Sequence, residues 1–258
     1  MARFAANLTF LFTELPMPQR FAAARAAGFD GVEILFPYDF TVSELSQAAL
    51  REGLEFVMLN TPPPNWAGGP RGFAAEPGRE DRFRRDFDRA LRFAQALRVR
   101  HIHIMAGKAE GPQAEATFID NLRWAAARAP HASLVIEPAN SVDLPGYFLN
   151  DYNQASEILR EVGASNLGLL FDAYHAHMIA GASQGALELL WNEHHPLVRH
   201  VQIAGCPGRH EPRGGDIDFA GFFQAVDSSG YRGWVSAEYS PRTTTEAGLR
   251  WIKGAVGL

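Results

Sequence analysis

Three carboxylates and one amide occupy equivalent places in the sequence. Ser133 to Ile136 (SLVI) leads into Glu137, and Leu167 to Phe171 (LGLLF) leads into Asp172. His200 and Val201 lead into Gln202, and Trp234 to Ala237 (WVSA) leads into Glu238. Each of the four closes a short apolar run of buried-strand length. Taken singly, each is an ordinary polar residue at a strand end. Brought together, three carboxylates repel one another unless a positive charge sits among them. A divalent cation meets that need, and an all-oxygen donor set favours a hard ion. The expectation is one divalent metal, Mg²⁺ or Mn²⁺, held by Glu137, Asp172, Gln202 and Glu238.

These four can meet only if the elements around them place their strands side by side. Strand and helix patterns alternate along the whole chain. Strands are expected at Phe4 to Asn7, Gly31 to Leu35, Leu54 to Asn60 and His101 to Met105, and then before Glu137, Asp172, Gln202 and Glu238. Helical stretches fall at Pro16 to Ala27, from a Ser43 cap to Glu52, and at Glu80 to Leu97, Gln113 to Arg128 and Asp151 to Val162. Others fall at Leu187 to Glu193, from an Asp218 cap through Ser229, and at Thr244 to Lys253. In Glu80 to Leu97 the residues Phe83, Phe87, Leu91 and Ala94 recur at helical spacing. Eight strands alternating with helices predict a parallel sheet, and eight units in 258 residues fit a (β/α)₈ TIM barrel. An open doubly wound sheet is the alternative, but no G-x-G-x-x-G follows the first strand. The expected organisation is one barrel domain over residues 1–258.

In such barrels, sites form where strands end and the following loops begin. Consecutive strands are neighbours, so strands five to eight would set the four residues along half of one rim. Asn7, Glu33, Asn60 and Lys108 end or follow strands one to four on that rim. His175 lies three residues past Asp172, and Glu211 lies in the loop RHEPRGGD after strand seven. The long Pro- and Gly-rich stretch TPPPNWAGGPRGFAAEPG after strand three should fall on the same face, where Trp66 and Arg71 could lie over a ligand. His101 and His103 alternate with Ile102 and Ile104, so their side chains share one face.

Composition narrows the function classes. Apolar residues make up 47% and charged residues 21%, which is ordinary for a globular protein with a large core. The net charge is −5 with Lys and Arg dispersed, against a nucleic-acid surface. Cys206 is the one cysteine, so no internal disulfide can form, and a reducing compartment is expected. No run is long enough to span a membrane, and MARFAANLTFLF lacks a cleavage signal. The expected location is the cytoplasm, with no membrane or nucleic-acid partner. Apolar outer helix faces would be compatible with a homo-oligomer.

The chain resembles the hydroxypyruvate isomerases, within the xylose isomerase-like barrels. The resemblance rests on RFAANLTFLFTE, GFDGVEILFPYD, NWAGGPRGFAAEPGRE, IEPAN, FDAYH, HVQIA, GWVSAEY and TTTEAGLRW, which together run nearly end to end. It implies a divalent metal on Glu137, Asp172, Gln202 and Glu238, with Glu137 and Glu238 as the acid–base pair. It also implies that His175 and Glu211 lie near the metal or substrate. Relatives often carry a histidine just before the Asn60 position, where this chain has Leu59, a departure expected to bear on substrate contact. The implied reaction interconverts hydroxypyruvate and tartronate semialdehyde through an enediolate, with Lys108 or Arg71 meeting the substrate carboxylate. Readings that keep the same cage are a 2-oxo-tetronate isomerase and a ketose 3-epimerase. A phosphodiesterase would need a histidine-rich, multi-zinc site and a basic surface. A non-catalytic sugar-acid binder would not need both glutamates.

Overall fold

The computed structural model describes residues 3–62, 71–183 and 185–255. Eight parallel strands close into a barrel in chain order. They are β1 (Arg3–Asn7), β2 (Gly31–Glu33), β3 (Glu55–Asn60), β4 (His101–His103), β5 (Ser133–Ile136), β6 (Leu167–Asp172), β7 (Val198–Ile203) and β8 (Trp234–Ala237). The first strand pairs with the last, Ala6 facing Ala237, so the sheet has no open edge. Six consecutive residues of β6 are buried, which explains its unbroken apolar sequence: helices cover one face and the barrel interior the other.

The connecting helices are α1 (Met17–Ala26), α2 (Val42–Glu52), α3 (Glu80–Leu97), α4 (Gly111–Arg128), α5 (Tyr152–Val162), α6 (Ala173–Ile179), α7 (Ala186–His194), α8 (Phe219–Ser228), α9 (Thr245–Gly248) and α10 (Arg250–Ala255). Their ends follow local chemistry. Asp151 and Asp218 accept backbone N–H groups in the first turns of α5 and α8. Gly53 and Gly163 close α2 and α5 in the left-handed conformation. Buried Phe83, Phe87, Leu91 and Ala94 line one face of α3, as their spacing predicts.

The structure corrects three boundaries. The cap of α2 is Thr41, not Ser43. Thr41 and Glu44 satisfy each other's backbone N–H groups, and one such reciprocal pair sets where the helix begins. The last helix is interrupted at Leu249 and becomes α9 and α10. β2 and β4 are three residues each, because the chain leaves the ladder once its polar rim residues are reached.

Two apolar layers fill the molecule. Ala5, Val57, Met58, Val135, Leu170 and Trp234 pack as an inner cluster. The larger outer cluster lies between barrel and helices and includes Phe87, Phe118, Trp191 and Phe222. Among the described residues, no helix is long and apolar enough to cross a membrane.

Candidate active site

Strand register brings the polar rim together. Asp172 at the end of β6 pairs with Gln202 in β7, and Ile203 pairs with Ala237, directly before Glu238. Ala6 pairs with the same Ala237, and Asn7 pairs with Glu33. Asn60 pairs with His103 on the far side. These ends open into a cavity of about 420 Å³ that includes Asn60, Arg71, His103, Glu137, His175, Gln202, Arg209 and Glu238 in its lining.

The cavity floor is a buried polar network. Asn7 Nδ2 donates to Glu33 Oε1 at 2.8 Å and to Glu238 Oε2 at 3.1 Å. Gln202 Nε2 donates to Glu33 Oε1 at 2.7 Å and also to Glu238 Oε2. With its amide protons committed, Gln202 can offer only Oε1 to a cation. His200 Nε2 lies 2.9 Å from Glu33 Oε2. Glu33 therefore orients both Gln202 and, through Asn7, Glu238. Burial pushes the Glu33 carboxyl up to about 7 even though Gln202, Ser236 and Asn7 oppose the rise.

The three carboxylates differ in what they hold. Asp172 Oδ1 accepts the backbone N–H groups of Tyr174 and His175, capping α6, while Oδ2 accepts Arg209 at 2.9 Å. Glu238 Oε1 accepts the same Arg209 nitrogen at 2.9 Å. Burial pushes Glu238 up to about 8; Arg209 works against that rise, and Glu33 and Asp172 add to it. Glu137 has a buried Oε1 with no hydrogen-bond partner among the described residues. Burial, then Asp172 and Glu238, hold its carboxyl well above the usual range.

Histidines frame Glu137. His103 Nδ1 lies 3.2 Å from Asn60 Oδ1 and so carries the proton, which leaves Nε2 as a lone pair 3.8 Å from Glu137 Oε2. His175 Nδ1 accepts the Asn140 backbone N–H at 3.1 Å, which puts the ring proton of the neutral form on Nε2. Burial holds His175 down to about 4, so it is a neutral donor. One ring nitrogen of His175 lies within 4.8 Å of carboxylate oxygens from both Glu137 and Asp172.

Arg209 supplies the positive charge among the carboxylates, and the sequence reading passed over it. Burial opposes its charge, but Asp172, Glu238 and Glu137 together raise its pKa above the ordinary arginine value. Its guanidinium also lies 5.3 Å from the ring centre of Tyr174. Arg209 is a non-glycine residue at φ 55°, next to Gly208 at φ 88°. Such backbone costs energy and clusters at functional sites. The signal was its place at the head of RHEPRGGD, the loop leaving β7.

The expected residues divide as follows. Glu137, Asp172, Gln202, Glu238, His175, Asn60 and Arg71 meet in or beside the cavity. Lys108 is exposed and its backbone bridges to Tyr147, outside the lining. Glu211 turns away: Oε1 accepts the Arg242 backbone N–H at 3.0 Å, and the side chain packs against Gly248. Trp66 lies outside the described residues. Leu59 packs in the outer cluster while Met58 and Asn60 line the cavity, so Leu59 belongs to the barrel wall and the substrate contact expected there is not made at this position.

An all-oxygen set with an unpartnered buried glutamate oxygen fits a hard divalent ion. The barrel and this rim define the class. The chain belongs to the xylose isomerase-like TIM barrel family, whose description matches residues 21–255. It is 42% identical to a 2-oxo-tetronate isomerase of Cupriavidus necator, covering 100% of both chains. It is 40% identical to the hydroxypyruvate isomerase of Escherichia coli, covering 98% of both. Within the family it is an isomerase of this hydroxypyruvate isomerase-like group. A solved structure of an AP endonuclease, family 2, from Brucella melitensis matches with a TM-score of 0.93 and 42% identity, covering 98% of this chain and 99% of that one. A 3-keto-D-glucoside 4-epimerase from E. coli shares the fold at a TM-score of 0.79 and 20% identity, covering 98% of this chain and 100% of that one.

Proposed function

We propose that the chain interconverts hydroxypyruvate and tartronate semialdehyde, exchanging a carbonyl and a hydroxyl between adjacent carbons by proton transfer. The observation that carries this reading is the unequal pair of glutamates. Glu137 keeps an unpartnered oxygen and a raised pKa, as an acceptor of a carbon-bound proton needs. Glu238 is held at both oxygens by Arg209, Gln202 and Asn7. Glu137 takes the proton, and Glu238, pushed up to about 8, serves as the partner that returns or relays one.

Glu137, Asp172, Gln202 and Glu238 would hold one divalent ion, Mg²⁺ or Mn²⁺, which when bound stabilises negative charge developing on the substrate oxygens. Arg71, exposed at the mouth of the cavity, binds the substrate carboxylate. His175 Nε2–H donates to a substrate oxygen, oriented by Asn140. Arg209 bridges Asp172 and Glu238 and holds both side chains in place before substrate enters. We place the reaction in the cytoplasm, because a lone buried cysteine calls for no oxidising compartment.

A second substrate, 2-oxo-tetronate, is favoured by the Cupriavidus relative and uses the same proton-transfer pair. A cavity of about 420 Å³ accepts either a three- or a four-carbon acid. The test is a panel of three- and four-carbon hydroxy-oxo acids, assayed with Mg²⁺, with Mn²⁺ and with chelator. Turnover of hydroxypyruvate that chelator abolishes supports the reading. Turnover of the four-carbon acid alone transfers it to that substrate, and undiminished turnover in chelator removes the metal from it.

A further inference from the structure

We infer that His177, Cys206 and Asp216 form a second metal site, separate from the oxygen cage, that takes a borderline-soft divalent cation of the zinc class. One ring nitrogen of His177, Cys206 Sγ and an Asp216 carboxylate oxygen all lie within 4.8 Å of one another. Zinc at 2.0–2.3 Å from tetrahedral ligands sets them roughly 3.5 Å apart, a contraction of about 1 Å from that outer limit. His177 is buried, and its Nε2 has no hydrogen-bond partner among the described residues. A buried ring nitrogen without a partner is costly unless something binds it. Met178 Sδ lies 3.8 Å from Cys206 Sγ and adds a second soft atom beside the thiol.

The backbone assembles this group from two elements. His177 comes from α6, five residues past Asp172. Cys206 and Asp216 come from opposite ends of the loop between β7 and α8, closed where Asp216 N–H donates to Cys206 O at 2.8 Å. Gly215 allows the closure, since a Cβ there would meet Cys206 O at 2.3 Å. Burial pushes the Cys206 thiol up, with Asp216 and Asp143 adding to it, so the site rests as a neutral thiol. Metal binding then forms an Sγ–metal bond and releases the thiol proton to water.

The donor chemistry separates the two sites. The four ligands proposed for the cage are all oxygens and suit Mg²⁺ or Mn²⁺, whereas a thiolate with imidazole and carboxylate suits zinc. A metal here would tie α6 to the loop that carries Arg209, and Arg209 reaches Asp172 and Glu238. The second site would thereby steady the first.

Cobalt(II) tests this directly on the full chain, with excess Mg²⁺ present to occupy the oxygen cage. The chain has one cysteine, so any thiolate-to-cobalt charge-transfer band arises from Cys206. We expect a band that saturates near one cobalt per chain, is displaced by Zn²⁺ and is absent in Cys206→Ser. In His177→Gln and in Asp216→Asn the midpoint should move to about tenfold more cobalt or beyond. Asp216 is exposed, so Asp216→Asn leaves the fold intact and keeps the comparison interpretable. The inference is overturned by a wild-type chain with no band, by a band needing two chains per cobalt, or by one that neither His177→Gln nor Asp216→Asn changes.

Discussion

Glu137 and Glu238 differ at the scale of single atoms, and their variants should differ too. Glu137→Gln replaces the unpartnered oxygen with a group that cannot take a proton. Turnover should fall by about 10²–10⁴-fold, with the thermal midpoint held or raised, since a buried ionisable group is removed. Glu238→Gln removes the same acid–base capacity but also breaks the contact with Arg209. Its turnover should fall comparably while stability drops, as circular dichroism melting would show. Near-normal turnover in either variant contradicts the assignment. Arg209→Met leaves Asp172 and Glu238 facing each other without a cation, and should cost about 1–3 kcal/mol in metal-free protein. Added Mn²⁺ should recover much of that loss, and a urea midpoint insensitive to the metal would contradict this.

Helix and strand ends decide which residues reach the site, and here the sequence was informative to different degrees. Glu137, Asp172, Gln202 and Glu238 were legible because each lies within one residue of the end of a barrel strand, and a closed parallel barrel gathers strand ends on one rim. Arg209 was not, because its reach depends on a left-handed backbone inside a loop, which no periodicity reports. The union of Glu33 with His200 was also hidden, since β2 and β7 are distant in sequence and meet only through the barrel interior. Glu211 and Lys108 show the opposite error: adjacency to a strand end did not decide where their side chains pointed. Gly72, next to Arg71, bridges Ala106 at φ 91°. A Cβ at Gly72 would meet Met105 O at 2.0 Å, so Gly72→Ala must displace the segment carrying Arg71. Steady-state kinetics should show KM raised several-fold, with kcat less affected. Thr41→Ala is the contrasting case. It removes the cap of α2, at a residue outside the cavity lining, and should cost about 1 kcal/mol with unchanged kinetic constants.

The whole molecule carries an unusual proton balance. His101, His103, His175 and His200 are held neutral, at about 2, 3, 4 and 3, with burial the leading cause of the lowering. Below about pH 6.5 the unfolded chain protonates them and the native chain does not, so each lowers stability as pH falls. Glu33, Glu137 and Glu238 act in the opposite sense, binding protons in the native state at pH values where the unfolded chain has released them. That compensation ends near pH 4.5, where the unfolded glutamates protonate as well. Stability should therefore fall steeply between about pH 4.5 and 3.5, by roughly 1.4 kcal/mol per pH unit for each histidine still neutral. Urea unfolding across that range should show a slope reduced by one proton in His101→Asn, a residue set below the cavity against Ser133. An unchanged slope would contradict the assigned neutrality.

The proposed proton transfer differs from a hydride shift in where the product's carbon-bound hydrogen comes from. Conversion of hydroxypyruvate in D₂O, followed by NMR, tests it most directly. Deuterium from solvent is expected in the tartronate semialdehyde formed, with loss of both exchange and product in Glu137→Gln. Product that forms at the wild-type rate while retaining all of the substrate's carbon-bound hydrogen would contradict it.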